Sequence, residues 1–264
     1  MKFKMPNFPD INISMGPGDP QNPHIAGLGK LLGGNYQTVT ISGSGEVQGN
    51  LRAEHVTLSG SAQIDGDVTT GDISASGVSK IKGSLTAREA CFSGSASVQG
   101  SLKSETLQFG GALDVDGDID AFTLCGDGAI QAGAIKADEI ELGVSGASEV
   151  RALSGKQIKV KAGERGAVSV SVSSKTSSSV FAHHTTISGA TISSVSETST
   201  AYAGECKLTA DEIVGDDIDL DVTDARRVEG KKVRIGPGCV IDKVQYRESL
   251  DVDSKATVKE RIKV

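Results

Sequence analysis

The stretch richest in potential chemistry is DVDGDID at residues 114–120, where Asp114, Asp116, Asp118 and Asp120 alternate along the chain. Alternating carboxylates are one way to gather oxygen ligands around calcium. An EF-hand loop, however, needs glycine at its sixth position and glutamate at its twelfth, and here Gly117 comes fourth. With Val115 and Ile119 between them, the four aspartates read instead as the solvated face of a strand. His183 and His184 are adjacent, with no cysteine or carboxylate at ligand spacing. Neighbours on a strand point to opposite faces, so the pair reads as surface. His55 precedes an inward Val56 and is expected to be exposed, and His24 falls in the N-terminal arm. GLGKLLGG (27–34) lacks the GK[ST] ending of a Walker loop and reads as linker. No Ser/His/Asp or Cys/His arrangement assembles from spacing, so no catalytic residue, cofactor or metal is assigned.

Composition narrows the classes further. Of 264 residues 37% are hydrophobic but only 3% aromatic, with no Trp and 33 glycines. Such a chain cannot build a thick aromatic core, whereas Val, Ile, Leu and Ala suit thin stacked sheets. A net charge of −7 argues against a nucleic-acid backbone as partner, because phosphate contacts need clustered Lys and Arg. No stretch approaches the roughly 18 apolar residues of a membrane span. The start, MKFKMPNFPDINIS, has no continuous apolar run, so no signal peptide is expected and the cytoplasm is the expected compartment.

What must position any site is a repeat. Glycine recurs every 17 residues at Gly43, Gly60, Gly77, Gly94, Gly111 and Gly128, and a second series runs Gly49, Gly66, Gly83, Gly100, Gly117. Apolar residues keep the same phase in four columns. These are Val39, Val56, Ile73, Ala90, Leu107, Leu124; Val47, Ile64, Ile81, Val98, Val115; Leu51, Val68, Leu85, Leu102, Ile119; and Ile41, Leu58, Ala75, Phe92, Phe109. Within each unit, pieces such as VTLSG (56–60) alternate with strand periodicity, and helical spacing is absent. The expected fold is all-β: a three-sided β-helix of ~17-residue coils, with glycines at the corners and neighbouring coils about 4.7 to 4.9 Å apart. A single coil buries too little apolar surface to offset the entropy of ordering it, so stacking is compulsory.

This geometry also fixes the cysteines, Cys91, Cys125, Cys206 and Cys239, which show neither CxxC pairing nor metal-ligand spacing. Cys91 and Cys125 share an outward column with Thr57, Ser74 and Gln108, two coils or roughly 9 to 10 Å apart. A disulfide needs Cα atoms within about 7 Å, so free thiols are expected.

The period loosens after residue 128. A five-residue apolar interval still recurs at Ile135/Ile140, Leu153/Ile158, Ile187/Ile192, Leu208/Ile213 and Val228/Val233. IKADEIEL (135–142) matches LTADEIVG (208–215), and LSGKQIKV (153–160) matches VEGKKVRI (228–235). The organisation expected is a flexible arm at 1–35, regular β-helix at 36–163, a serine-rich irregular segment or insert at 164–186, and less regular coils with a C-terminal tail at 187–264. Within the arm, Phe3, Met5 and Phe8 interleave with Lys2 and Lys4. That pattern suits either a disordered tail or a dip into an anionic membrane surface.

The glycine-punctuated units SGSAQIDGDV, SGVSKIKGSL and SGSASVQGSL, with the ending RRVEGKKVRIGPGCVIDKVQYRESLDVDSKATVKE, resemble the bactofilins, bacterial polymer-forming cytoskeletal proteins, over residues 38–264. The longer Firmicutes version is the nearest in pattern. The resemblance implies a right-handed β-helix joining end to end into non-polar filaments without nucleotide, and scaffolding protein clients at the membrane for cell shape, wall synthesis or motility. It also implies membrane contact through the N-terminal arm. The serine-rich segment and the irregular later coils depart from the family pattern, so no interface residue is carried over. The rival class is a left-handed β-helix acyltransferase: VRIGPGCVI (233–241) has Ile235, Gly236 and Ile241 at hexapeptide spacing. Those enzymes keep an 18-residue period and a catalytic histidine, whereas the clean period here is 17 and His55 is the one histidine in the clean coils. Physics favours assembly independently, since an uncapped solenoid end recruits another strand edge.

The column assignment predicts that Val98→Asp or Phe92→Asp abolishes folding, because an unpaired charge in so thin a core costs several kcal/mol. Circular dichroism and chromatography check this: a cooperatively melting variant would refute the columns.

Overall fold

The computed structural model describes residues 21–163 and 206–264. These residues form one wound parallel sheet: β1 (His24–Asn35), β2 (Thr38–Ile64), β3 (Val68–Ile81), β4 (Leu85–Val98), β5 (Leu102–Val115), β6 (Ile119–Val144), β7 (Ser148–Ala162), β8 (Leu208–Leu220), β9 (Thr223–Ile235), β10 (Val240–Val252) and β11 (Thr257–Lys263). Spatial order equals sequence order, and every neighbouring pair is parallel. The described residues form a β-solenoid of about 12 turns.

Register explains the columns. Leu51 pairs with Val68, Val68 with Leu85, Leu85 with Leu102 and Leu102 with Ile119, and all five are at most 1% exposed. The columns of Val39, Val47 and Ile41 are buried throughout in the same way. Along each strand the burial alternates, so the apolar residues meet only inside. Where the fourth column reaches Gly126, the Phe109 ring of the preceding coil lies where a side chain would stand. The missing side chain makes room for the aromatic one.

The two glycine series answer to different constraints. Gly43, Gly60, Gly77, Gly94 and Gly111 take φ of +102° to +116°, a region costly for any residue with a Cβ. A Cβ on Gly60 would also stand 2.5 Å from the Gly43 carbonyl oxygen. In the second series only Gly49 has positive φ. There the constraint is proximity: a Cβ on Gly83 would lie 2.6 Å from the Gly66 carbonyl carbon and the Asp67 nitrogen.

Coil length varies after the regular part. The step is 18 from Ala132 to Val150, 15 from Leu208 to Thr223, and 16 from Asp224 to Val240. Residues are added or dropped at corners, which need no fixed length to keep the faces stacked. Strand β7 pairs directly with β8, Ser148 opposite Leu208 and Leu153 opposite Ile213. No further coil therefore stands between them. The expected serine-rich segment 164–186, and a resumption near Ile187 and Ile192, lie outside the described residues.

Three expectations change. The arm does not extend to residue 35, because 24–35 form β1, whose Ile25 and Leu31 are buried against β2. GLGKLLGG is likewise strand rather than linker: Gly27, at φ +83°, stacks on Gly43, so the corner rule begins one coil earlier. The likeness of 135–142 to 208–215 is out of phase. Ile135 pairs with Leu153, which pairs with Ile213, so the true counterpart is 213–220. The shared ADEI letters sit one strand apart, and burial periodicity, not letter identity, sets the register. The match of 153–160 to 228–235 is in phase, since Ile213 pairs with Val228.

Gly77→Ala is expected to cost roughly 2 to 4 kcal/mol through φ strain and a clash with the carbonyl of Gly60. Gly110→Ala, at a position with open space and ordinary φ, should change stability by less than about 1 kcal/mol. Guanidinium denaturation followed by circular dichroism compares the two, and equal losses would refute the corner argument.

Candidate assembly surfaces

Between coils, the corner following the second glycine series is held by a side-chain ladder. Asn50 Oδ1 accepts from the Asp67 backbone N–H at 2.9 Å, Asp67 Oδ1 from Ser84 N–H at 2.8 Å, and Ser84 Oγ from Ser101 N–H at 3.3 Å. Asp118 Oδ1 accepts from Ala134 N–H at 2.8 Å. Backbone donors left unpaired by the bend are thereby satisfied. Sequence reasoning missed these residues, although the signal is visible: a short polar residue follows each glycine of that series, as GN, GD, GS, GS, GD.

The ends differ from the middle. Among the described residues β1 pairs only with β2 and β11 only with β10, so each presents a strand edge with no described neighbour. The two ends also differ from each other. At the first coil Ile25 is 1% and Leu31 7% exposed. At the last, Leu250, Val252, Ala256, Val258 and Ile262 are only half-buried. An apolar row continuous with the core is thus left partly open at the C-terminal end. Around it run charges paired to the coil before: Lys259 with Asp242 at 2.7 Å and Lys243 with Glu260 at 3.6 Å.

The residues singled out for chemistry are dispersed. Asp114 lies at the end of β5, Asp116 and Asp118 in the corner that follows and Asp120 at the start of β6, with none of them buried. Asp118 caps Ala134 and contacts Arg151 at 3.3 Å, and Asp120 faces Lys103 at 3.7 Å. Among the described residues no cluster of three metal-ligating side chains forms. His24 is exposed, and His55, also exposed, reaches Asp72 at 3.0 Å; His183 and His184 lie outside the described residues. Cys91 and Cys125 are exposed free thiols, each paired in register with Gln108 and hence two coils apart. Cys206 and Cys239 are buried. The Cys239 Sγ–H donates to the Leu220 carbonyl at 3.3 Å, and burial pushes its thiol up to about 11, so it stays protonated and inert as a nucleophile. No described helix is long and apolar enough to cross a membrane. Phe3, Met5 and Phe8 lie outside the described residues.

Most exposed charges pair across coils, as in Glu141 with Lys159 and Asp219 with Arg234, both at 2.7 Å. Asp221 is drawn partly out of solvent. One of its carboxylate oxygens is buried without a hydrogen-bond partner, against the Gly236 backbone. Burial, helped by the negative charge of Asp219, raises its pKa above the ordinary carboxylate value.

No protein-family model matches the chain, and no solved structure matches it. A curated Bacillus subtilis (strain 168) protein, "Uncharacterized protein YhbF", is 37% identical over 84 residues, 32% of this chain. The chain covers 36% of that relative's length.

A raised native pKa means that the fold takes up the Asp221 proton before the unfolded chain does. Its contribution to stability therefore grows as pH falls through the native value and levels off below the unfolded one. Glu46, Asp65 and Glu141, lowered mainly by hydrogen bonds from lysines, act in the opposite sense at lower pH. Asp221→Asn should raise the melting temperature at pH 7 and remove the gain otherwise seen on acidifying towards the carboxylate range. A parallel pH dependence of melting in wild type and variant would refute the assignment.

Proposed function

We propose that this chain is a structural, polymer-forming protein of bactofilin type, a subunit that joins end to end into filaments without nucleotide. The observation that carries the reading is the open C-terminal coil: a parallel strand edge backed by the half-covered row Leu250, Val252, Ala256, Val258 and Ile262. A second copy meeting that end extends the hydrogen-bond ladder and buries the row, the two contributions that hold each coil to its neighbour inside the solenoid. A head-to-tail or paired-end contact that does not close on itself gives a fibre. The β-solenoid fold is compatible with such a role, and the likeness of the glycine-punctuated coils to bactofilins supports it.

In this reading the filament lies in the cytoplasm at the inner face of the membrane, with Phe3, Met5 and Phe8 of the arm as lipid contacts. It scaffolds client proteins in shape, wall synthesis or motility, and no catalytic step belongs to it. Purified protein with no added cofactor should form filaments under the electron microscope. Val258→Asp places a charge in the half-buried row at the open end, and should abolish filaments while the circular dichroism spectrum keeps its strand signature and the subunit still melts cooperatively, at a somewhat lower temperature. A closed trimer that turns over an acyl donor would overturn the proposal in favour of the acyltransferase class.

A further inference from the structure

Seven large apolar side chains stand out as exposed among the described residues, and three of them share one flat face: Leu28 at 76%, Leu32 at 71% and Val78 at 57%. Residues 28, 30 and 32 pair with Ser44, Glu46 and Gln48 of the second coil. Two coils further, Ser61 and Gln63 pair with Val78 and Lys80. The outward grid over four coils is therefore Leu28, Lys30, Leu32; Ser44, Glu46, Gln48; Ser61, Gln63, Asp65; and Val78, Lys80, Lys82. Its columns run along the solenoid axis, so the apolar residues and lysines are coplanar over about three coil steps, or roughly 14 Å.

The charges on this face are ordered. Glu46 is tied to Lys30 at 2.8 Å and accepts from Gln48 Nε2 at 3.0 Å, while Asp65 is tied to Lys82 at 2.8 Å and accepts from Gln63 Nε2 at 2.9 Å. Each carboxylate is thus neutralised within the face. Lys80 has no ion pair among the described residues. In a chain of net charge −7 these four coils thus present a face on which, among the described residues, Lys80 is the one charge left over, set among exposed aliphatic side chains. Exposed aliphatic side chains beside an unpaired lysine suit a lipid–water interface, where the aliphatic groups enter and the Lys80 ammonium meets an anionic headgroup.

We infer that this face is a second, arm-independent contact for an anionic bilayer, laying the solenoid axis parallel to the lipid surface. The proposal draws on the filament reading only for multiplicity, because weak contacts repeated along a polymer act together.

The test uses the full chain with Phe3→Ser, Met5→Ser and Phe8→Ser to silence the arm, sedimented with vesicles of phosphatidylcholine alone or mixed with phosphatidylglycerol. This protein should sediment with the mixed vesicles and not with phosphatidylcholine alone. Adding Leu28→Ser and Leu32→Ser should reduce partitioning about tenfold, and Lys80→Glu should reduce it in a salt-dependent way. Both leucines are solvent-facing, so melting should be unchanged. Electron microscopy of the same samples reads filaments separately: filaments that persist in the leucine variant support the lipid assignment. An arm-silenced chain that fails to sediment, or leucine substitutions without effect, overturns it. Loss of filaments in the leucine variant would assign the face to a contact between copies and overturn it equally. Vesicle binding without filaments in the unsubstituted chain would sink the polymer reading alone.

Discussion

The constraint on which the structure depends is that each coil must return the chain to the same lateral position one strand spacing further along. Parallel stacking at about 4.8 Å leaves no room for a side chain wherever two backbones cross a corner. It also forces like residues onto like. The consequences run through the molecule: Gly60 over Gly43, Val68 over Leu51, and Asn50 capping the coil that carries Asp67. A solenoid has no other core than this column order, because each coil contacts only its two neighbours. Hydrophobic burial, corner geometry and backbone pairing are therefore satisfied together or not at all.

That coupling is why so much was legible in the sequence. A 17-residue glycine step with four apolar columns has few solutions, and the inward residues from Val39 to Leu124 follow from it directly. Legibility failed where the letters and the physics parted. The ADEI of 208–215 repeats that of 135–142, yet Leu208 pairs with Ser148 and Thr223, while Ile213 takes the place opposite Leu153. The first coil was hidden for a related reason. GLGKLLGG is rich in glycine, and its outward Leu28 and Leu32 mask the alternation that buries Gly29 and Leu31. The surfaces of the candidate site were less legible still, since exposure at an end depends on what comes before or after in space and no local pattern records it.

The tolerance of the fold has a physical boundary. Faces keep strict alternation through steps of 15, 16, 17 and 18 residues, because a face contributes paired backbone groups and packed side chains while a corner contributes only a change of direction. The largest departure obeys the same division. Strand β7 ends at Ala162 and β8 begins at Leu208, far apart in sequence, yet they pair face to face as any two successive coils do. Length is absorbed at corners, and register is defended on faces.

The same nearest-neighbour logic makes the ends chemically distinct from everything between them. An interior coil has its backbone groups paired above and below and its apolar residues covered on both sides. Among the described residues the last coil has these on one side, and β11 is 7 residues long against 13 for β10. Its half-buried valines and isoleucine are the core of the solenoid continued to the last described strand. What would cover them is chemically defined: a strand edge with an aliphatic row behind it at the same spacing. In the proposed filament another copy of this chain supplies that match, whereas a lateral face such as that of Leu28 and Leu32 offers scattered aliphatics among paired charges and no free backbone. Ends and faces therefore differ in the chemistry they present, the first a row of backbone groups with aliphatic side chains behind it and the second side chains alone, and both follow from stacking one short coil on another.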